Sequence, residues 1–309
     1  MDYVTFGLIL DDLLRADGLS RTGLLGGGGP QSAFGMRLWS DSVGLVGRVG
    51  ADLPEAARVW LRDSAIDTLG LTQTAWPTLR ALQRLDADGR RRHSWLVSAA
   101  AVGAQLEKHA ADLPASYQPV RGWHLGVHPD EPDWDFLAGL RARGGRLSVE
   151  TFRPAAQSLA PKALARLLRA TDIFSPNEFA AASLVGPAAP ELLARRLLDA
   201  GAAVLALRLG ARGSLVAEAV TGHAVWIPAF PVAVVDAVGA GNAYCGAFLT
   251  GWVETGDLLE AGLRGAAAAS LIIEAFGVPL VTPAACQLAQ SRQQALRPLA
   301  RTFQLSASK

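Results

Sequence analysis

Residues Asp236–Phe248, DAVGAGNAYCGAF, set a Gly239-Ala240-Gly241 turn directly before an apolar-periodic run. Tyr244, Cys245, Phe248, Leu249 and Trp252 recur at helical spacing, which predicts a helix opening at about Asn242. The first N–H groups of such a helix have no partner inside it. The macrodipole adds partial positive charge there, and small residues let a phosphate approach the main chain. Taken alone, the weightier reading is an ordinary glycine turn with Asn242 as N-cap. Two other anion-binding patterns fail: no Gly-Lys pair exists to make a P-loop, and no third glycine completes G-x-G-x-x-G.

Outward from this turn the chain alternates short apolar strands with longer helical stretches. VRGWHLGVH, RLSVETF, DIFSPNE and AVLALRLG read as strands; EPDWDFLAGLRARGG, PKALARLLRA, FAAASLVG and PELLARRLLDAGA read as helices. Such β-then-α units argue for a mostly parallel sheet covered on both faces. DYVTFGLILDD reads as one buried strand with its polar end at Asp11 and Asp12. In LRALQRLDADGRRRHSWLV, Asp88-Gly89 between partly alternating stretches predicts a hairpin. It is too polar for a doubly covered sheet and suits a small flap.

Composition narrows the partners. Of 309 residues, 50% are hydrophobic and 18% charged, so a packed core is expected. The formal net charge of +1 advertises neither nucleic acid nor basic partners. Cys245 and Cys286 have no metal-ligand spacing, and a reduced, intracellular and by default cytoplasmic setting is expected. No apolar run reaches the roughly 18 residues of a membrane span, and the acidic Asp2 argues against a signal peptide. His124 and His128 share one face of a strand but lack an evident third ligand, so structural histidines are the plainer reading. Arg90-Arg91-Arg92 reads as a solvated hairpin face.

The whole string resembles the C-terminal signature of ribokinase-like (PfkB family) carbohydrate kinases, Asp-Thr-x-Gly-Ala-Gly-Asp-x-Phe-x-x-Gly. Other landmarks follow in the family's order. GLILDD resembles its first strand, and GGGGPQSA its Gly-Gly-x-Gly-x-Asn-x-Ala substrate loop. DIFSPNE resembles the strand ending in Pro-Asn-Glu, and LRLGARGS the Thr-Leu-Gly-x-x-Gly segment beside the nucleotide. The resemblance implies one kinase domain over residues 1–309 with a three-layer α/β/α fold, a mostly parallel central sheet and a small β lid from segments within 10–30 and 75–100. It implies transfer of the ATP γ-phosphate to a hydroxymethyl group of a sugar or nucleoside. Gly239, Ala240 and Gly241 would form the anion hole, with Asn242 at the base position. Asp12, Gly27, Gly29 and Gln31 would hold the acceptor; Asn177, Arg208, Gly210 and Gly213 would line the nucleotide groove. Cofactors would be ATP with Mg2+, and K+ near the Asp236 loop. Partners would be these small molecules, with a homodimer or a regulatory protein partner allowed by the fold.

Three positions depart from the pattern. Asn242 stands where an Asp takes the acceptor proton, and an amide has no basic atom near neutral pH. Ala180 replaces the Glu of Asn-x-x-Glu that organises the metal's water shell. Glu178 lies about 160° round a starting helix and is not expected to substitute. Gln31 stands for an Asn, with a longer reach. Phosphoryl transfer depends chiefly on positioning and charge stabilisation, so a slow kinase is one expectation. A catalytically inactive pseudokinase that binds nucleotide or sugar and acts through a partner is the other.

Overall fold

The computed structural model describes residues 1–85 and 91–305. The first apolar run is not one strand but two in different sheets. Gly7, at φ +84°, divides it into β1 (Tyr3–Phe6) and β2 (Ile9–Arg15). Only glycine turns the chain this way without a steric cost, and apolarity continues across the bend because both strands contribute to buried layers.

β3 (Ser20–Gly26) returns antiparallel to β2 and runs into α1 (Gly28–Arg37), followed by β4 (Val43–Val49), α2 (Glu55–Asp63) and β5 (Asp67–Gln73). β6 (Arg80–Leu85) and β7 (Arg91–Trp95) pair antiparallel, as a hairpin requires; the Asp88-Gly89 dipeptide expected to turn it lies outside the described residues. Then come α3 (Ala99–Leu106), β8 (Gly122–Val127), α4 (Trp134–Ala142), β9 (Arg146–Thr151), α5 (Pro161–Arg169), β10 (Ile173–Phe174), α6 (Glu178–Val185) and α7 (Pro190–Asp199). The chain closes with β11 (Val204–Arg208), β12 (Ser214–Glu218), β13 (His223–Ile227), α8 (Ala240–Thr255), α9 (Leu258–Ile272), α10 (Pro283–Leu296) and β14 (Arg301–Gln304).

The large sheet has the order β14-β13-β12-β11-β10-β9-β8-β1-β4-β5. It is parallel from β11 to β5 and antiparallel from β11 to β14. Alternate residues of one strand enter opposite cores. Ile173, Val204 and Ala206 pack with α1, α8 and α9, whereas Phe174, Leu205 and Leu207 pack with α4, α5 and α7. That alternation makes the three α/β/α layers that the resemblance implies. A second sheet, β3-β2-β6-β7, stands apart from the first. Among the described residues no helix is long and apolar enough to cross a membrane.

One helix contact positions the site. α1 and α8 approach so closely that a Cβ on Gly35 would lie 2.1 Å from the Ala243 carbonyl oxygen, and one on Gly246 2.1 Å from that of Ser32. Gln31 of the first turn of α1 also meets Gly239 at the start of α8, so the N-terminal turns of the two helices converge.

Candidate active site

Gly239 is the N-cap of α8, at φ 92° in the left-handed region, and its carbonyl accepts from Ala243 N at 2.9 Å. The helix therefore opens at Ala240, two residues before the sequence pattern suggested, and Asn242 sits inside the first turn rather than capping it. The turn has no side-chain cap, so its leading N–H groups stay available. Two side chains from distant segments press on its glycines. A Cβ on Gly239 would lie 2.8 Å from Gln31 Cδ, and one on Gly241 1.9 Å from Arg208 Nη1. Gln31 Oε1 accepts from Asn242 Nδ2 at 2.6 Å.

On the nucleotide side, Glu150, Ser175 and Arg208 occupy the carboxyl ends of β9, β10 and β11, where ligands gather in parallel α/β sheets. Arg208 Nη2 donates to Glu150 Oε2 at 2.6 Å and to the Ser175 carbonyl at 2.7 Å. Beneath them, burial, reinforced by the Arg208 charge, pushes the His124 imidazole down to about 3, and its Nδ1 lies 3.0 Å from Ser148 Oγ. Burial pushes the Cys245 thiol up to about 12, so it packs as a small apolar group. Asn177 caps α6 by accepting from Ala180 N at 2.8 Å. Gly210 and Gly213, at φ 60° and 94°, shape the turn after β11. Arg212 of that turn binds Glu178, so Glu178 is committed elsewhere and Ala180 carries no carboxylate.

Around the glycine loop, the two adjacent acids of β2 take different partners. Asp12 does not face the space between the sheets. Asp11 and Leu13 line one face of β2 and Asp12, between them, points from the other; the extra residue of the β2–β3 ladder lies in β3, and β2 pairs with β6 without a break. Asp12 then binds Arg80, at 2.9 Å, and the Gly23 amide, at 2.8 Å. Asp11 faces inward instead, accepting from Gln83 Nε2 at 2.8 Å. It lines, with Gln31, Asp236 and Val238, a cavity of about 10 Å³, the room of one water. Gly27 and Gly29 let the loop press on the β1–β2 bend; a Cβ on Gly29 would lie 2.0 Å from the Gly7 carbonyl oxygen. Asp236 is buried and accepts from Val238 N at 3.0 Å, fixing the loop before the turn. A wider depression of about 370 Å³, lined by Met1, Val43 and Asp67 among others, lies at the amino ends of β4 and β5, the end of a parallel sheet opposite to its ligand crevice.

The model of the pfkB family of carbohydrate kinases matches residues 11–285. The chain belongs to that family. A cytidine kinase of Thermococcus kodakarensis is 26% identical over 90% of this chain and 98% of its own. The adenosine kinase of Sinorhizobium meliloti has a similar fold, with a TM-score of 0.75 and 21% identity over 95% of this chain and 99% of its own. So does a putative ribokinase II of E. coli solved in complex with ATP and Mg2+, with a TM-score of 0.74 and 17% identity over the same shares of the two chains. Two features of this pfkB protein escaped the sequence reading. Arg208 occupies the Thr position of Thr-Leu-Gly-x-x-Gly, a fourth departure visible in LRLGARGS. Its partner Glu150 had one signal, a carboxylate near the carboxyl end of the predicted strand RLSVETF.

Proposed function

We propose that this pfkB family member transfers the γ-phosphate of ATP to a hydroxymethyl group of a sugar or nucleoside. The reading is carried by the convergence of α1 and α8, which sets an uncapped glycine turn beside an inward-facing carboxylate under a second sheet. The second sheet acts as the lid. The acceptor hydroxyls meet Asp11, in place of Asp12, with the Gly27–Gly29 loop and Gln31 beside them. The phosphate meets the amides of residues 239–242, and the nucleotide extends past Asn177, Arg208, Gly210 and Gly213. The two kinases named for cytidine and adenosine favour a nucleoside among the acceptors.

The donor groups fit ATP: main-chain amides at a helix N-terminus hold phosphate without side chains. They fit the protein-organised water shell of Mg2+ poorly, since Ala180 and Asn242 supply no carboxylate and Glu178 is held by Arg212. A divalent ion bound with ATP would offset phosphate charge. K+ beside the Asp236 carboxylate fits hard-oxygen chemistry. Without a carboxylate at 242, the acceptor proton leaves without a strong base, so turnover is slow. The inactive alternative draws no support from the matches.

A thermal-shift series with ATP, ADP and a sugar and nucleoside panel, followed by a turnover assay on the acceptors that shift, tests the reading. Stabilisation by nucleotide and one acceptor class, with phosphorylation of that acceptor lost in Gly241→Val, is the expected result. Stabilisation without turnover would leave the inactive binder.

A further inference from the structure

We propose that Arg208 is a resident phosphate-binding cation: its guanidinium takes the charge of the nucleotide's terminal phosphates at the Gly239–Asn242 turn, with Glu150 as its latch, so that nucleotide is held without a divalent ion. This rests on the kinase reading and concerns the same site.

The position of the guanidinium points to an anion. A Cβ on Gly241 would lie 1.9 Å from Arg208 Nη1. Cβ atoms of a helix tilt towards its N-terminus, so Nη1 sits at the mouth of α8. The unpaired N–H groups and the helix dipole already make that mouth positive. Glu150 balances the guanidinium on its Nη2 side, while Nη1 faces the positive mouth; a phosphate oxygen can accept from both.

The donors of Arg208 are unevenly used. Nη2 is engaged by Glu150 and Ser175, while Nε is buried with no hydrogen-bond partner among the described residues. Glu150 is itself buried. The pair thus keeps a guanidinium charged and fixed in a place where an unpaired cation would not stay.

The neighbouring substitutions agree in sign. Ala180 and Asn242 remove two carboxylates from the phosphate's surroundings, and position 208 gains a guanidinium where the family pattern has a hydroxyl. A hard divalent ion needs oxygen ligands, whereas an arginine fork matches phosphate directly.

The test uses the full chain and ADP as probe, with binding measured by calorimetry in excess Mg2+ and in EDTA. The dissociation constant is expected to change by less than about threefold between the two conditions. The double variant Arg208→Gln, Glu150→Gln replaces the ion pair by amides of similar shape without stranding a buried charge. It is expected to fold and to lose at least about tenfold of ADP affinity in EDTA. Wild-type protein that binds ADP with Mg2+ but loses it tenfold or more in EDTA would overturn the role of Arg208 and leave the kinase reading intact; that comparison needs no variant. Undiminished ADP binding by the folded double variant in EDTA would do the same. Binding under neither condition would remove both.

Discussion

Asn242 Nδ2 donates to Gln31 Oε1 at 2.6 Å, joining two residues that each depart from the family's motifs. Gln31 lies in the first turn of α1 and Asn242 in the first turn of α8, so the close crossing of the helices brings the amides together. The longer Gln reaches the base position, and its amide oxygen accepts from the amide there. In Asn242→Asp the carboxylate accepts instead, and Gln31 can turn its NH₂ towards it. General-base catalysis contributes about 10²–10⁴-fold, so phosphorylation of the acceptor found by thermal shift should rise by about that factor. Steady-state ATP turnover reads it. An unchanged rate in a variant that still binds ADP would show that position 242 does not govern proton removal.

On the proposed reading, Asp11 binds the acceptor and Asp12 holds the second sheet together. Asp11 faces the cavity, while Asp12 is tied to Arg80 and Gly23. Hydrogen bonds to a charged group contribute about 1.5–3 kcal/mol, so Asp11→Asn should raise the acceptor KM by about ten- to a hundredfold. Asp12→Asn should change it by less than about threefold, because a partly exposed ion pair contributes about 1 kcal/mol or less. A reversed order would return the acceptor role to Asp12.

The contrast between these neighbours shows where a linear reading stops. The strand–helix alternation made the three-layer fold legible, because strands buried on both faces are apolar throughout. The glycine turn and the helix it opens were legible because residue size and helix periodicity are local properties. The split at Gly7 was hidden, since both halves of DYVTFGLILDD are apolar and only backbone sign tells them apart. Which of the adjacent acids faces inward depends on which face of β2 the rest of the fold covers, which a strand's own sequence does not encode. Arg208 was named as a nucleotide-groove residue, but its ion pair with Glu150, 58 residues away, is a product of strand order.

His124 makes stability depend on acid. Its imidazole is driven down to about 3 by burial and then by Arg208, against about 6.5 in the unfolded chain. Between those values the unfolded state binds a proton that the folded state refuses. Stability contributed by neutral His124 is therefore complete above pH 6.5 and falls as pH drops towards 3, by about 1.4 kcal/mol for each pH unit. His124→Gln keeps a polar partner for Ser148 without a titrating ring. Urea unfolding from pH 7 to pH 4.5 should show a shallower decline for the variant. Parallel declines would mean that the ring gains a proton, or water, in the folded protein.

The crossing of α1 and α8 carries the last expectation, because stability and binding should fail together there and separately elsewhere. Gly246→Ala places a methyl 2.1 Å from the Ser32 carbonyl oxygen, a main-chain atom that yields only if the helices part. Overpacking of this kind costs about 1–3 kcal/mol. Parting the helices also withdraws Gln31 from Asn242 and widens the space before the anion turn. Gly256→Ala is the matched control. Gly256 caps the far end of α8 at φ 65° with open space around its Cβ position. A left-handed alanine costs roughly 1–2 kcal/mol, a similar loss with no effect on the crossing. Both variants should melt earlier by comparable amounts. Only Gly246→Ala should also weaken nucleotide and acceptor binding, by about tenfold or more, since misplacement of about 1 Å at a positioned site has large effects. Equal binding by the two variants would show that the anion turn keeps its shape without α1 and that the convergence of the helices is packing alone.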